Sequence, residues 1–294
     1  GIIMKLRIIE KAWGINRMTG ERSARVTDNR AFAPSVGAVL DFPKGGRHFT
    51  IDAADENSIT VTLHCKNTAF NKTWVIQKGE NKLYIPRSMD GGYCYRLIYE
   101  DETVLCHYAV SMTVEKSDGK HDLAQSKFFG TPTVPSAWKD RFHDDIIFLA
   151  QIRLADIAEL DYDNRLPHTG YLYFFLDAEM YPSDQLYVWV EYYPDEPDTV
   201  IDNFNVESPV SDGLNDDWLI TFHYAEPSAD GTKLLGVPSG VINENGGNST
   251  LLLQYDPLDF DGVPFLNNLD GYAYVFYDED KSGYDAFSYV VERS

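Results

Sequence analysis

The sequence predicts an α+β protein dominated by β-strands. It pairs a β-sandwich-like or barrel-like N-terminal domain with a second domain of two tandem, pseudo-symmetric β-rich repeats. Two observations predict this class. Short runs rich in β-branched and aromatic residues alternate with turn-forming residues over the first ~115 positions. Four sequence landmarks then occur twice, in the same order, between residue 125 and residue 294.

The N-terminal domain is expected to span residues 1–118, with a linker at its end. Its predicted strands are Lys5–Ile9, Phe49–Ala53, Ser58–His64, Thr73–Gln77, Lys82–Ile85, Tyr93–Tyr99 and His107–Val114. The run Ser58–His64 alternates polar and apolar residues, as a half-buried strand does. The segment Gly20–Ala33 is predicted to be helical. Several short strands at close spacing favour a small sandwich or barrel.

The second domain, residues 119–294, contains the repeat. The matching segments are Ser126–Pro132 with Thr232–Pro238, Leu149–Gln151 with Leu252–Gln254, Gly170–Asp177 with Gly271–Asp278, and Val190–Glu191 with Val291–Glu292. Their offsets are 106, 103, 101 and 101 residues, which predicts a tandem duplication with small deletions in the second copy. Repeat one is expected at 125–193 and repeat two at 231–294, with an acidic insertion at 194–230.

The repeat unit has a physical interpretation. Its Lys-apolar-apolar-Gly-x-Pro motif predicts a strand end that turns sharply at Gly130 and Gly236, because glycine adopts positive φ without steric cost. The strands Tyr171–Asp177 and Tyr272–Asp278 are apolar on both faces, so each is expected to be covered on both sides. We expect these two strands to lie close to the pseudo-axis that relates the copies.

These segments resemble the YwqG-like family of uncharacterised bacterial proteins, over residues 122–294. The resemblance rests on the ordered set of motifs in Ser126–Pro132, Phe148–Ile152, Gly170–Phe175 and Val188–Tyr193, and on their counterparts in the second copy. The family usually carries a Trp-Gly-Asp-like element where this chain has Asn267–Gly271. The resemblance implies a mixed, β-dominated fold and carries no activity with it.

Cysteine content and hydropathy predict the compartment. Three cysteines in 294 residues are too few for a secreted disulfide framework and favour a reducing, cytoplasmic location. The sequence contains no apolar run of the ~18 residues that a transmembrane helix needs. No membrane association and no cofactor are therefore expected.

The formal net charge of −21 is unevenly distributed. Residues 166–280 contain 22 acidic residues and a single basic one, Lys233, while the rest of the chain contains 24 of each sign. A field of this size repels phosphate backbones, which argues against a nucleic-acid partner. It is typical either of a solubilising surface or of a docking face for a basic protein.

No nucleophile elbow, phosphate loop, dinucleotide fingerprint or zinc motif is present, so a catalytic role is not favoured. The candidate ligand-binding residues of a cleft between the repeats are Gln151, Gln254, Asp177, Asp278, Tyr173 and Tyr274. The alternative is structural, since the carboxylates end strands where turns begin and buried amides usually bind backbone. Asp278, Asp280 and Ser282 have the spacing of a calcium loop, but the position that needs a bidentate Glu is Tyr289.

Two functions follow from these patterns. The first is a non-enzymatic interaction protein, for example an immunity-type inhibitor whose acidic C-terminal face blocks a basic partner. The second is an enzyme or small-ligand binder that uses the cleft between the repeats. The oligomeric state has no signature in the sequence.

Overall fold

A computed structural model shows a β-dominated chain whose helices are short. It describes residues 1–86, 90–105, 108–142, 145–161, 164–177, 187–201, 213–240, 249–265 and 271–292. The chain divides into two compact units, residues 1–106 and 107–294. Among the described residues, no helix combines the length and the apolar character of a membrane span.

Within the part of the first unit that the structure describes, there are eight strands, one α-helical turn and one 3-10 turn. Its strands are β1 (Met4–Ile15), β2 (Arg22–Phe32), β3 (Val39–Phe42), β4 (Arg47–Ala54), β5 (Ser58–His64), β6 (Lys72–Gln77), β7 (Asn81–Tyr84) and β8 (Gly91–Asp101). The α-helical turn is Glu102–Leu105 and the 3-10 turn is Thr68–Phe70. The strands form two antiparallel sheets, in the orders β2-β1-β8-β7 and β3-β4-β5-β6.

The two sheets pack face to face, which confirms the expected sandwich. Strand β5 alternates between buried and half-buried residues along its whole length. Its apolar face joins residues of β1 and β8, among them Leu6 and Leu97, in one hydrophobic core. This is the arrangement of a β-sandwich, in which the inward faces of two sheets share a core.

The helix predicted at Gly20–Ala33 is wrong. The segment forms strand β2, which pairs antiparallel with β1 from Leu6↔Phe32 to Ile15↔Arg22. A strand partner of this length supplies a backbone hydrogen-bond ladder, and such tertiary pairing overrides a weak local helix preference.

The described residues of the second unit form twelve strands. They are β9 (Ala109–Lys116), β10 (Lys127–Phe128), β11 (Thr133–Val134), β12 (Ile146–Arg153), β13 (Tyr171–Asp177), β14 (Tyr187–Tyr193), β15 (Thr199–Val200), β16 (Trp218–Ala225), β17 (Lys233–Leu235), β18 (Ser249–Tyr255), β19 (Ala273–Asp278) and β20 (Phe287–Val291). Its described residues also form 3-10 turns at Ser136–Arg141, Leu154–Ile157, Pro257–Asp259 and Gly283–Ala286. Ten strands form one antiparallel sheet in the order β14-β13-β12-β10-β16-β9-β17-β18-β19-β20, and β11 pairs with β15.

The two halves of this sheet have matching pairings. Lys127 lies opposite Gln151 in the first half, and Lys233 lies opposite Gln254 in the second. Strand β12 has a register shift between Phe148 and Ala150, and β18 has one between Leu251 and Leu253. Each half therefore follows the same path from its lysine strand to its edge strand.

The turn that follows each lysine strand also matches. Gly130 and Gly236 have φ values of 73° and 77°, which confirms the expected positive φ. The residues before them, Phe129 and Leu235, also have positive φ, at 54° and 60°. Two successive residues with left-handed backbone conformation reverse the chain sharply. Such a conformation is uncommon for a residue with a large apolar side chain.

Strand β13 is buried on both faces, as its composition predicts. Leu172, Phe174 and Leu176 belong to the core shared by both halves. Tyr171, Tyr173 and Phe175 belong to a second cluster on the opposite face. In the other half, Tyr274 and Phe276 of β19 form the equivalent smaller cluster with Leu251.

The strand that precedes each half along the chain pairs with the other half. Strand β9 precedes the first half and pairs with β17 of the second, and β16 precedes the second half and pairs with β10 of the first. Strands β9 and β16 also pair with each other, with Thr113 opposite Thr221. Strand β9, which the sequence analysis placed in the N-terminal domain, therefore lies at the centre of the second unit's sheet. Strand β16 likewise makes the segment 194–230 more than an insertion, although residues 202–212 lie outside the described residues.

The expected position of the pseudo-axis is wrong. The strand order is symmetric about the β16–β9 pair, so these two strands flank the axis, and β13 and β19 lie three strands further out on either side. The edge strands β14 and β20 nevertheless approach each other, with Cα atoms within 8 Å. Since the ends of the sheet meet, it curls around the shared core.

Candidate functional site

A cleft of about 840 Å³ opens between the two edge strands of the curled sheet. The first half contributes Arg141, Ile146, Asp177 and Tyr187–Trp189, and the second half contributes Tyr284, Asp285 and Phe287–Tyr289. No backbone ladder joins β14 to β20 within the described part of the chain. The cleft therefore lies where the sheet closes without hydrogen-bonded strands.

Glu191 is hydrogen-bonded by three residues that line the cleft. Its Oε1 accepts hydrogen bonds from Arg141 Nη1 (2.8 Å), Trp189 Nε1 (3.1 Å) and Tyr284 hydroxyl (2.6 Å). The bond to Glu191 is the main cause that raises the pKa of Tyr284, with partial burial adding to it. The carboxylate neutralises Arg141 and links strand β14 to the 3-10 turn that precedes β20.

The aromatic rings of the cleft differ in exposure. Trp189 packs against Phe175 at a centroid distance of 4.8 Å, and Tyr284 meets Trp189 edge-on at 5.9 Å. Tyr187 is 74% exposed and Tyr284 is 55% exposed. Large aromatic rings held open to solvent beside a cleft are a common feature of binding sites.

Among the described residues that line the cleft, the carboxylates are Asp177 and Asp285, and the one cation is Arg141. Arg141 lies over Trp138 and Trp189, with Cζ to ring-centroid distances of 5.3 and 5.9 Å. Arg141 pairs with Glu191, so the cleft presents the two aspartates beside an ion pair.

Of the six residues predicted for the cleft, only Asp177 lines it. Gln151 and Gln254 are fully buried. Gln151 accepts from the Thr133 amide and donates to the Leu123 and Gln125 carbonyls. Gln254 accepts from the Ser239 amide and donates to the Gly231 carbonyl and Ser239 hydroxyl. The two glutamines thus make equivalent buried hydrogen bonds, mostly to backbone, as the structural alternative predicts.

Tyr173 and Tyr274 are also buried, each opposite its glutamine in the ladder. Tyr173 donates to the Thr133 carbonyl (2.7 Å), and Tyr274 donates to Glu292 Oε2 (3.1 Å). Burial raises the pKa of both phenols, and Glu292 raises that of Tyr274 further. Tyr274 also accepts from the Gly240 amide (3.2 Å), so each phenol contacts the loop that follows a Gly-x-Pro turn.

Asp278 starts a turn. Its Oδ1 accepts from the Asp280 amide at 3.0 Å, and its Oδ2 lies 3.8 Å from Lys281 Nζ. In the described parts of the chain, no three His, Cys, Asp or Glu residues form a group that could hold a metal ion. Asp177 and Asp278 end equivalent strands, but only Asp177 is next to the cleft.

A buried polar network that the sequence analysis missed lies elsewhere in the unit. Ser117 Oγ is 2.5 Å from His121 Nδ1, and His121 Nε2 is hydrogen-bonded to Asp217 Oδ2. Asp217 also accepts from Lys127 Nζ (3.0 Å) and the Thr131 amide (2.8 Å). Serine, histidine and aspartate in a line have the composition of an acyl-transfer triad. The additional partners of Asp217 instead tie this network to the Gly130 turn.

The second half holds its lysine differently. Lys233 donates to the Pro227 and Ala229 carbonyls and to the Ser239 hydroxyl, at 2.8–3.0 Å. Burial lowers the pKa of Lys233 to about 8. The pKa of Lys127 is also lowered by burial, against the opposing effect of Asp217. Both lysines are fully buried, so neither offers its charge to a ligand.

Residues 126–223 match a family described as a domain of unknown function, DUF1963. The match covers strands β10 to β16, so it includes one wall of the cleft and one of the two central strands. A comparison with curated proteins finds no match.

Proposed function

We propose that the second unit is a non-enzymatic binding module whose cleft holds a positively charged segment of a partner protein. The observation that carries this proposal is the composition of the cleft: solvent-exposed aromatic rings, Tyr187 and Tyr284, beside two carboxylates, Asp177 and Asp285. A Lys or Arg side chain is attracted by the face of an aromatic ring and by a carboxylate, and this cleft offers both.

The charge of the surrounding sequence supports the same class of partner. Lys233 is the single basic residue among 166–280, and it is buried. The stretch itself therefore contributes no exposed lysine or arginine to the surface, and a few of its carboxylates, such as Asp216, Glu191 and Asp278, pair with cations from outside it. Such a surface accelerates association with basic proteins and gives it a strong dependence on salt. An immunity-type inhibitor of a basic protein, such as a toxin nuclease, would use this chemistry.

The proposal is tested by affinity capture from the source cell with immobilised protein. We expect basic proteins to be retained at about 50 mM salt and released at about 500 mM, because exposed charges are screened within a Debye length. The double variant Asp177→Asn/Asp285→Asn should retain at least about fivefold less of the same partner, roughly 1 kcal/mol of binding free energy.

The matched control is Asp195→Asn/Glu226→Gln. It removes two carboxylates from the same acidic stretch, and both residues are exposed and outside the cleft lining. If the two double variants lose equal amounts of retained partner, the interaction depends on net charge alone, which would contradict a role for the cleft. Retention that salt does not change would contradict the proposal as a whole.

A second candidate function is supported by the size of the cleft. A volume of about 840 Å³ lies within the range of roughly 300–1,000 Å³ that small-molecule sites have. A cationic small molecule, such as an organic amine, would find the same rings and carboxylates. The two candidates are compared by adding a free amine to a captured basic protein. If the amine displaces the protein, we infer that the protein is the partner and that the amine occupies part of its site.

We also infer that the halves of the second unit arose by duplication and that the chain is YwqG-like over residues 122–294. The matching lysine–glutamine pairs, register shifts and Gly-x-Pro turns support this inference. The Trp-Gly-Asp-like departure falls on Asn267–Asp270, outside the described residues. We place the protein in the cytoplasm, since Cys65 and Cys94 are free thiols and reducing compartments preserve them.

A further inference from the structure

A second cavity, of about 220 Å³, lies within the first unit. One side is formed by Gly45–Arg47, at the turn between β3 and β4, and another by Cys65–Asn67, directly after β5. The described residues of its lining include two cations, Arg47 and Lys66, and no carboxylate. A small cavity with this lining has the electrostatic character of an anion site.

The Arg47 side chain lacks a full set of acceptors. Its Nη1 is buried and has no hydrogen-bond partner among the described residues. Its guanidinium carbon lies 5.8 Å from the centre of the Tyr95 ring. A buried donor without an acceptor destabilises the fold, and more so when it is charged. A bound oxyanion would remove this cost.

Neighbouring groups keep Arg47 charged but do not neutralise it. Burial acts to lower the pKa of Arg47, but Tyr95 and Cys65 outweigh it and the pKa is raised. The nearby buried carboxylate, Glu10, accepts hydrogen bonds from Thr27 and from the Tyr95 hydroxyl, each at 2.7 Å. The guanidinium therefore keeps its positive charge beside the cavity.

The charge of the first unit agrees with this assignment. Residues 1–106 contain 15 basic and 12 acidic residues, a net charge of +3, whereas residues 107–294 contain 10 basic and 34 acidic residues. The chain has a net charge of −21, so a cavity lined by two cations has a charge opposite in sign to that of the protein as a whole.

We propose that this cavity binds a small oxyanion, a carboxylate or phosphate group, between Arg47 and Lys66. The planar guanidinium suits the two oxygens of such a group. The ammonium of Lys66, which is exposed, would contribute a second positive charge. The cavity is large enough for a phosphate or for a short carboxylic acid, since one water occupies about 30 Å³ of liquid volume.

Cys65 provides a direct reporter, because it belongs to the cavity lining. Iodoacetate and iodoacetamide alkylate a thiolate by the same displacement of iodide, but only iodoacetate is an anion. We expect the iodoacetate-to-iodoacetamide rate ratio at Cys65 in the full-length protein to exceed that of an unstructured peptide of residues 62–68 by about fivefold. Millimolar inorganic phosphate should slow the iodoacetate reaction, as measured by peptide mass spectrometry at Cys65.

Variants locate the effect. Arg47→Gln and Lys66→Gln should each lower the ratio toward that of the peptide. Because Lys66 is exposed, Lys66→Gln should fold normally even if Arg47→Gln does not. Lys78→Gln, an exposed lysine of the same unit outside the cavity lining, should leave the ratio unchanged. A ratio at Cys65 equal to that of the peptide, or a ratio insensitive to Lys66→Gln, would overturn the proposal.

Discussion

At the scale of single residues, Gly130 is the position where backbone conformation and packing constrain the sequence most tightly. Its φ is +73°, and a Cβ built on it would lie 1.5 Å from Asp217 Oδ1. That carboxylate is held by Lys127, His121 and the Thr131 amide. The motif Lys-apolar-apolar-Gly thus brings a buried ammonium, a carboxylate and a left-handed turn into one cluster.

We predict that Gly130→Ala lowers the free energy of unfolding by at least about 3 kcal/mol, because it adds a clash with a buried ionic network to the backbone strain. Gly262→Ala is the matched control. Its φ is +77° and a Cβ there would meet nothing within 4 Å, so it should cost only about 1 kcal/mol. Urea unfolding of both variants measures the difference, and equal costs would contradict the role of Asp217.

At the scale of elements, the second unit is held together because strands β9 and β16 each pair with the half that they do not precede. Strand β9 precedes the first half but pairs with β17 of the second half, and β16 precedes the second half but pairs with β10 of the first. Val110 and Met112 of β9 are buried in the core that both halves share. Neither half is therefore a complete sheet without a strand from the other.

The sequence predicts strands where the alternation is local, as in Ser58–His64, and it predicts the repeat where motifs recur, as in the two Gly-Tyr strands. It does not reveal β2, whose few apolar residues become a strand through pairing with β1. It also does not reveal that β9 and β16 pair with the opposite halves, since pairing across roughly a hundred residues leaves no local signal. Asp177 was predictable as a strand end, whereas Tyr187 and Tyr284 fall outside the repeated motifs.

We predict that a fragment of residues 107–294 folds and that a fragment of residues 119–294 does not. The shorter fragment lacks β9, so β16 and β17 lose a partner in the middle of the sheet and expose unpaired backbone groups. Circular dichroism with thermal melting distinguishes the two. A cooperative melt of the shorter fragment at the temperature of the longer one would show that β9 is dispensable.

At the scale of the whole molecule, charge separates the two units. The first unit has a net charge of +3 and contains a cavity lined by cations, while the second has a net charge of −24 and contains a cleft lined by rings and carboxylates. The chemistry of these sites predicts ligands of opposite sign. Binding of a basic partner should therefore depend on the cleft of the second unit and be independent of Arg47 and Lys66.

The most direct test of the binding proposal is site-specific photo-crosslinking within strand β14. A p-benzoylphenylalanine at Tyr187 projects from the cleft lining, and one at Tyr192 is an exposed control on the same strand outside that lining. In source-cell lysate at low salt, position 187 should crosslink a basic protein, and position 192 should not. High salt or Asp177→Asn/Asp285→Asn should abolish the product. Equal crosslinking from both positions, or a product that resists salt, would contradict the account.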